Sequence, residues 1–180
     1  MLNDFIATFP KAGTSVLCES LISWHDEDIS ARTETPRRDT RRDVQKWLPE
    51  SNQLWIPLQN VKLRCLTEYL QEFPASYRGK KSLLMPENKI QRTDPKGGGF
   101  HTFHSEVSHW ENCRRFLVMF IYLDDNEAGH TLMRTFRENI AIPCRKGSIL
   151  FFPPFWPWLH AGRKPIDKPK YIIGSYLHYV

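Results

Sequence analysis

In the stretch Phe103-His104-Ser105-Glu106 an imidazole and a carboxylate stand two residues apart. On an extended strand alternate side chains share a face, so this spacing makes His104 and Glu106 a chelating pair. Two histidines and one carboxylate on one side of a metal leave the opposite positions open, the arrangement that suits non-haem iron(II) with oxygen, cosubstrate and substrate around it. The third donor has to come from a distant strand. His160, in WPWLHAG, is the candidate: Trp156 to Leu159 would supply a dry wall and Gly162 would let the chain turn away. HxE by itself is a common pair that more often marks a solvent-facing polar stripe, so the order of the surrounding elements has to decide.

The remaining histidines fit the site less well. His101 precedes His104 by three residues and turns to the other face of a strand. His109 falls in the following loop and reads as solvated. His25 and His178 have no partner at ligand spacing, and His130, in AGHT, is open to mistake for a ligand.

Positioning such a site requires strands, and from about Lys81 the sequence supplies them. Short runs rich in β-branched and aromatic residues alternate with turn formers. The expected strands are Asn88 to Thr93, Phe100 to Ser105, Arg115 to Leu123, Asn139 to Pro143, Ser148 to Phe152 and Lys170 to Tyr179, with turns at DPKGGG, Asp125 to Gly129 and Cys144 to Gly147. Ahead of them lie two helices. Thr14 or Ser15 can cap one that carries Val16, Leu17, Leu21, Ile22 and Trp24, and apolar residues from Leu58 to Phe73 recur at helical intervals until Pro74 stops the second. Helices followed by many close strands predict a mainly β chain with supporting helices and a jelly-roll core. One domain is expected over 1–180, with 1–78 mainly helical support and a variable loop, and 79–180 the jelly-roll core.

Composition narrows the classes. Hydrophobic residues make up 41% and charged residues 25% of the 180, which is ordinary globular composition even with 13 prolines. Apolar runs such as Phe116 to Leu123 are far shorter than the roughly 20 residues a bilayer helix needs, and the N-terminus does not read as a secretory signal. No membrane role is expected. Cys18, Cys65, Cys113 and Cys144 form no CxxC pair, which points to a reducing, cytoplasmic setting. A net charge of +5 favours anionic ligands without demanding nucleic acid. Arg37, Arg38, Arg41 and Arg42 concentrate part of it in an expected exposed loop, which reads first as a solvated surface segment and second as a lid within 30–48.

With GGGFHTFHSE, RRFLVMFIYLDD, AGHT, IPCRKGSILFFPPFWPWLHAG and KYIIGSY in this order, residues 88 to 180 resemble the prolyl-4-hydroxylase-like branch of the iron(II)/2-oxoglutarate-dependent dioxygenase superfamily. The resemblance implies a double-stranded β-helix core, iron on His104, Glu106 and His160, and Lys170 paired with the distal carboxylate of 2-oxoglutarate. It also implies that the hydroxyls of Tyr122 and Thr131 help hold that carboxylate, and it assigns no catalytic group beyond the metal ligands. An unpaired charge in an apolar barrel is costly, which gives Lys170 a physical reason. Two departures stand out: Glu106 where HxD is more usual, and AGHT with Ala128 and His130 at the changed places.

The implied reaction uses Fe(II), 2-oxoglutarate and O2, with ascorbate as an optional reductant. It hydroxylates an unactivated C–H bond, of a prolyl or other amino-acid or peptidyl substrate first, with small molecules open. Phe103, Trp110, Phe155, Trp156 and Trp158 are candidates for the pocket wall or simply core. Arg115 is expected either at the cosubstrate or on a surface acid. Alternatives from other classes are a non-catalytic metal-binding jelly-roll module and, disfavoured by the modest charge, a nucleic-acid oxygenase. Oligomeric state is not legible.

Overall fold

The computed structural model describes residues 2–3, 5–27, 33–34, 41–76, 83–84, 87–95, 99–100 and 102–179. In chain order the longer elements are β1 (Ile6–Phe9), α1 (Ser15–Glu27), β2 (Val44–Trp47), α2 (Trp55–Glu72), β3 (Lys89–Thr93), β4 (Arg115–Tyr122), β5 (Asn126–Arg134), β6 (Asn139–Cys144), β7 (Ile149–Phe152), β8 (Leu159–Gly162) and β9 (Lys170–Tyr179). Two antiparallel sheets form the core. The large one runs β1-β7-β4-β9-β3-β2, with two-residue strands at its margins, and the small one runs β6-β5-β8. Together they make the helix-supported jelly roll that the element order led one to expect.

The large sheet is covered on both sides, which is why β4, β7 and β9 read as nearly unbroken apolar runs. Leu117, Met119 and Ile121 of β4 pack with Ile149, Phe151, Ile173 and Leu177 against Leu21 of α1 and Leu58 and Leu66 of α2. Their neighbours Val118, Phe120 and Tyr122 turn the other way, with Leu150 and Phe152, onto Met133 and Ile142 of the small sheet. Burial of each large side chain of this kind contributes about 1.5–3 kcal/mol. The fixed alternation also decides which β9 residues look into the barrel: Tyr171 and Ile173 face the helices, so Lys170, Ile172 and Tyr176 face inward.

Both helices form as expected. The Thr14 hydroxyl accepts from the Leu17 backbone N–H at 3.2 Å, capping α1. Val16 and Leu63, counted in the apolar faces from sequence, are nevertheless exposed.

Three sequence expectations need correction. Asn126 to Gly129 is strand, not turn. The pairing of β5 with β6 shifts register between Asn126 and Thr131, and the polar, glycine-bearing irregularity there resembles a turn in composition. Secondly, among the described residues the stretch expected as a strand from Phe100 to Ser105 keeps only Phe100, at the end of the two-residue strand Gly99–Phe100, and an isolated antiparallel bridge between His104 and His160. Beyond that bridge the next facing donor, the Trp158 N–H, is taken by the Phe155 carbonyl at 2.9 Å and the Glu106 N–H by the Pro154 carbonyl, so the ladder stops. Thirdly, 30–48 is not loop throughout: Arg41–Arg42 pairs with Gly99–Phe100, and β2 joins the large sheet. Arg37 and Arg38, and His101, lie outside the described residues.

Gly147, in the turn between β6 and β7, has φ of +73°, and its carbonyl accepts from the Gly13 N–H at 2.9 Å. A Cβ there would stand 2.3 Å from the Gly13 carbonyl oxygen, so both conformation and space require glycine.

Candidate metal centre

His160 sits on β8 and His104 on the bridge beside it, each backbone N–H donating to the other's carbonyl at 2.9 and 3.0 Å. This mutual pairing sets the two imidazoles side by side, with ring centroids 4.1 Å apart. Glu106 reaches them by a different route from the strand alternation expected. The chain bends after His104, and the N–H groups of Glu106 and Val107 both donate to the Pro154 carbonyl, at 2.9 and 3.1 Å. Glu106 Oε1 then lies 3.2 Å from His160 Nε2 and 3.7 Å from His104 Nε2.

One ligand atom from each of the three residues falls within 4.8 Å of the others, the only such group of histidine, cysteine and acidic side chains among the described residues. Ligands bonded at about 2.1 Å and at right angles stand about 3 Å apart, so the observed spacing suits a shared cation. The donor chemistry agrees. His104 Nδ1 is 3.0 Å from the Thr102 carbonyl, which can only accept, so Nδ1 carries a proton and Nε2 is the nitrogen turned toward the carboxylate. Burial works against charge on Glu106, but hydrogen bonding and the charges of His104 and His160 outweigh it and hold the carboxyl well below its usual range. Burial lowers the His160 pKa, despite the opposing pull of Glu106. A metal cation would take the place of the imidazole protons in holding Glu106 ionised.

These residues open on a cavity of about 350 Å³. Lys170, 5% exposed, also lines it, and among the described residues no carboxylate pairs with its ammonium. Burial lowers the Lys170 pKa. Room for its stem comes from Gly129, where a Cβ would stand 3.0 Å from Lys170 Cδ. Thr131 lines the cavity too, and the buried Tyr122 hydroxyl donates to Thr131 Oγ1 at 2.8 Å. The structure thus brings together all six residues singled out from sequence.

Other expectations fare differently. None of Phe103, Trp110, Phe155, Trp156 and Trp158 is among the described residues lining the cavity; Phe120 is. Trp110 and Trp156 are 85% and 80% exposed, and Phe103 lies under the Arg134 guanidinium. His25 is buried against Asp26. His109 does reach the cavity wall while bonding Glu111. Arg115 pairs with two acids, Glu106 at 3.4 Å and the part-exposed Glu87 at 3.8 Å.

Sequence reasoning missed Tyr176, whose hydroxyl donates to Glu106 Oε2 at 3.0 Å. Its even spacing from Lys170 on one strand was the available signal. It also missed the polar wall on the β2–β3 side, where Asp43 accepts from Gln91 at 2.6 Å and Gln45 at 3.0 Å.

No protein-family model and no curated protein matches the sequence. Solved structures do match the fold. A prolyl-4-hydroxylase from Pseudomonas putida is 12% identical, with a TM-score of 0.77 over 99% of this chain and 94% of that one. A viral collagen prolyl hydroxylase from Paramecium Bursaria Chlorella virus-1, in complex with 2-oxoglutarate, is 15% identical, with a TM-score of 0.71 over 98% and 97%. An epimerase in complex with Fe3+, alpha-ketoglutarate and a nogalamycin compound is 11% identical, with a TM-score of 0.69 over 98% and 79%. The fold of this chain is therefore the helix-supported jelly roll that these structures share.

Proposed function

We propose that the chain is an iron(II)- and 2-oxoglutarate-dependent dioxygenase, with the metal held by His104, Glu106 and His160 and the distal carboxylate of 2-oxoglutarate held by Lys170 with Thr131 and Tyr122. The observation that carries this reading is Lys170. A buried ammonium with no anionic side chain beside it is costly unless an anion from outside completes it, and it lies in the same cavity as the His-Glu-His group. A barrel that only stored metal would have no use for that cation.

When bound, iron and 2-oxoglutarate supply the oxidising chemistry: R–H, 2-oxoglutarate and O2 give R–OH, succinate and CO2. The protein's own residues orient and exclude. Lys170 fixes one end of the cosubstrate by charge, and the Tyr122–Thr131 bond aims a hydroxyl at the same place. Phe120 and Phe152 pack around the His160 ring at centroid distances of 5.5 and 4.8 Å, keeping that side dry. Tyr176 and Arg115 fill the far side of Glu106.

The substrate we propose is a prolyl or other amino-acid or peptidyl side chain, because two of the similar structures are named as prolyl hydroxylases. Residues 1–180 are read as one such domain, acting in a reducing compartment, in keeping with four unpaired cysteines. No helix among the described residues is long and apolar enough to cross a membrane. The test is aerobic incubation with Fe(II), 2-oxoglutarate, ascorbate and a panel of prolyl peptides and free amino acids. Succinate release matched by one added oxygen in one panel member supports the reading. Absence of any 2-oxoglutarate turnover in folded, iron-loaded protein counts against it.

A further inference from the structure

Glu106 poses in sharper form a problem that any carboxylate ligand poses. Its side chain has one more rotatable bond than that of aspartate, and a carboxylate that swings freely can bind a metal through one oxygen or through both. With six positions around the metal, two imidazoles and a one-oxygen carboxylate leave three open; a two-oxygen carboxylate leaves two. A keto acid chelating through two atoms would then leave no place for oxygen.

In this structure the two oxygens of Glu106 have separate surroundings. Oε1 faces both histidines, at 3.2 and 3.7 Å. Oε2 is turned away and receives the Tyr176 hydroxyl at 3.0 Å and Arg115 Nη1 at 3.4 Å. Arg115 also donates to the Glu106 backbone carbonyl at 3.3 Å, so it grips both ends of the residue. Its guanidinium lies 3.7 Å over the Tyr176 ring, and Glu87 stands 3.8 Å behind it. Tyr176 is 4% exposed and projects inward from β9, the strand that carries Lys170. The group behind Glu106 is therefore assembled from rigid elements.

We infer that Tyr176, backed by Arg115, is a positioning residue that makes Glu106 a one-oxygen ligand, presenting Oε1 to the metal and withholding Oε2. This rests on the iron reading above. It also explains how the longer carboxylate is tolerated: the extra methylene is taken up by a fixed orientation of the carboxyl group. Oriented ligands of this kind typically lose about 10- to 100-fold in metal affinity when their outer partner is removed.

The experiment is titration of metal-free wild type and Tyr176→Phe with Co(II), followed by calorimetry and by the visible ligand-field bands. The variant keeps the ring under Arg115 and removes only the hydroxyl. Expected are a loss of affinity of about 10-fold or more and altered bands, with the unfolding temperature of the metal-free protein little changed. If Tyr176→Phe does not fold, Arg115→Lys, which keeps the charge and loses the fork, gives the same readout. Wild-type affinity and bands in the variant overturn the positioning role and leave the iron reading standing. Failure of wild type itself to bind Co(II) overturns both.

Discussion

Replacing Lys170 with methionine separates a cosubstrate-binding role from a structural one by the sign of two effects. Methionine keeps the straight stem that threads past Gly129 and removes the charge. Breaking a buried ion pair by deleting one partner costs about 3–5 kcal/mol, which at about 1.4 kcal/mol per decade is roughly two to three and a half orders of magnitude in the Kd for 2-oxoglutarate. In the absence of cosubstrate the effect reverses. The ammonium is then buried without an anionic partner among the described residues, and burial lowers its pKa. Lys170→Met should therefore raise the melting temperature of the ligand-free protein. Calorimetric titration of Mn(II)-loaded protein with 2-oxoglutarate, beside thermal melts without it, reads both effects. A change in affinity smaller than about threefold, or a fall in ligand-free stability, refutes the assignment.

Two further predictions concern the frame around the site. Lys62 is fully buried in α2, donates to Asn88 Oδ1 at 2.7 Å, and is pushed by burial from 10.5 down to about 7. The unfolded chain holds this proton to higher pH than the folded one, so Lys62 lowers stability fully below about pH 7 and progressively less as pH rises toward about 10. The shift corresponds to about 5 kcal/mol, so Lys62→Met should stabilise strongly in urea denaturation at about pH 6 and little at about pH 10. An equal effect at both pH values would remove the buried amine as the cause. At Gly147, the positive φ and a Cβ 2.3 Å from the Gly13 oxygen make Gly147→Ala costly by about 2 kcal/mol or more. An unchanged melting temperature would contradict the account of that turn.

The residues that gather at the candidate site were legible where they stand singly in fixed order. The fold brings His104, Glu106, His160, Thr131 and Lys170 to one cavity, with Tyr122 behind Thr131. What escaped depends on pairing between distant segments. The turn that takes up the Trp158 N–H reduces the HxE strand to one bridge, a fact that lies in the partner segment and not in HxE. The irregular start of β5 imitates a turn in composition. Tyr176 sits in a run apolar enough to read as core, and its role is visible only once Glu106 is seen to bend toward it. Of the five aromatics near the motif, Trp158 packs against the core as the plainer reading had it, while Trp110 and Trp156 face out, because density of aromatic residues says nothing about which way the loops carrying them face.

The central claim is that His104, Glu106 and His160 bind iron in a geometry that also accepts 2-oxoglutarate. Anaerobic addition of Fe(II) and then 2-oxoglutarate tests it, by the weak visible metal-to-ligand charge-transfer band of the chelated keto acid. The account predicts the band in wild type and its loss in His160→Ala. No band in well-folded wild type, or a band that survives in His160→Ala, would contradict it.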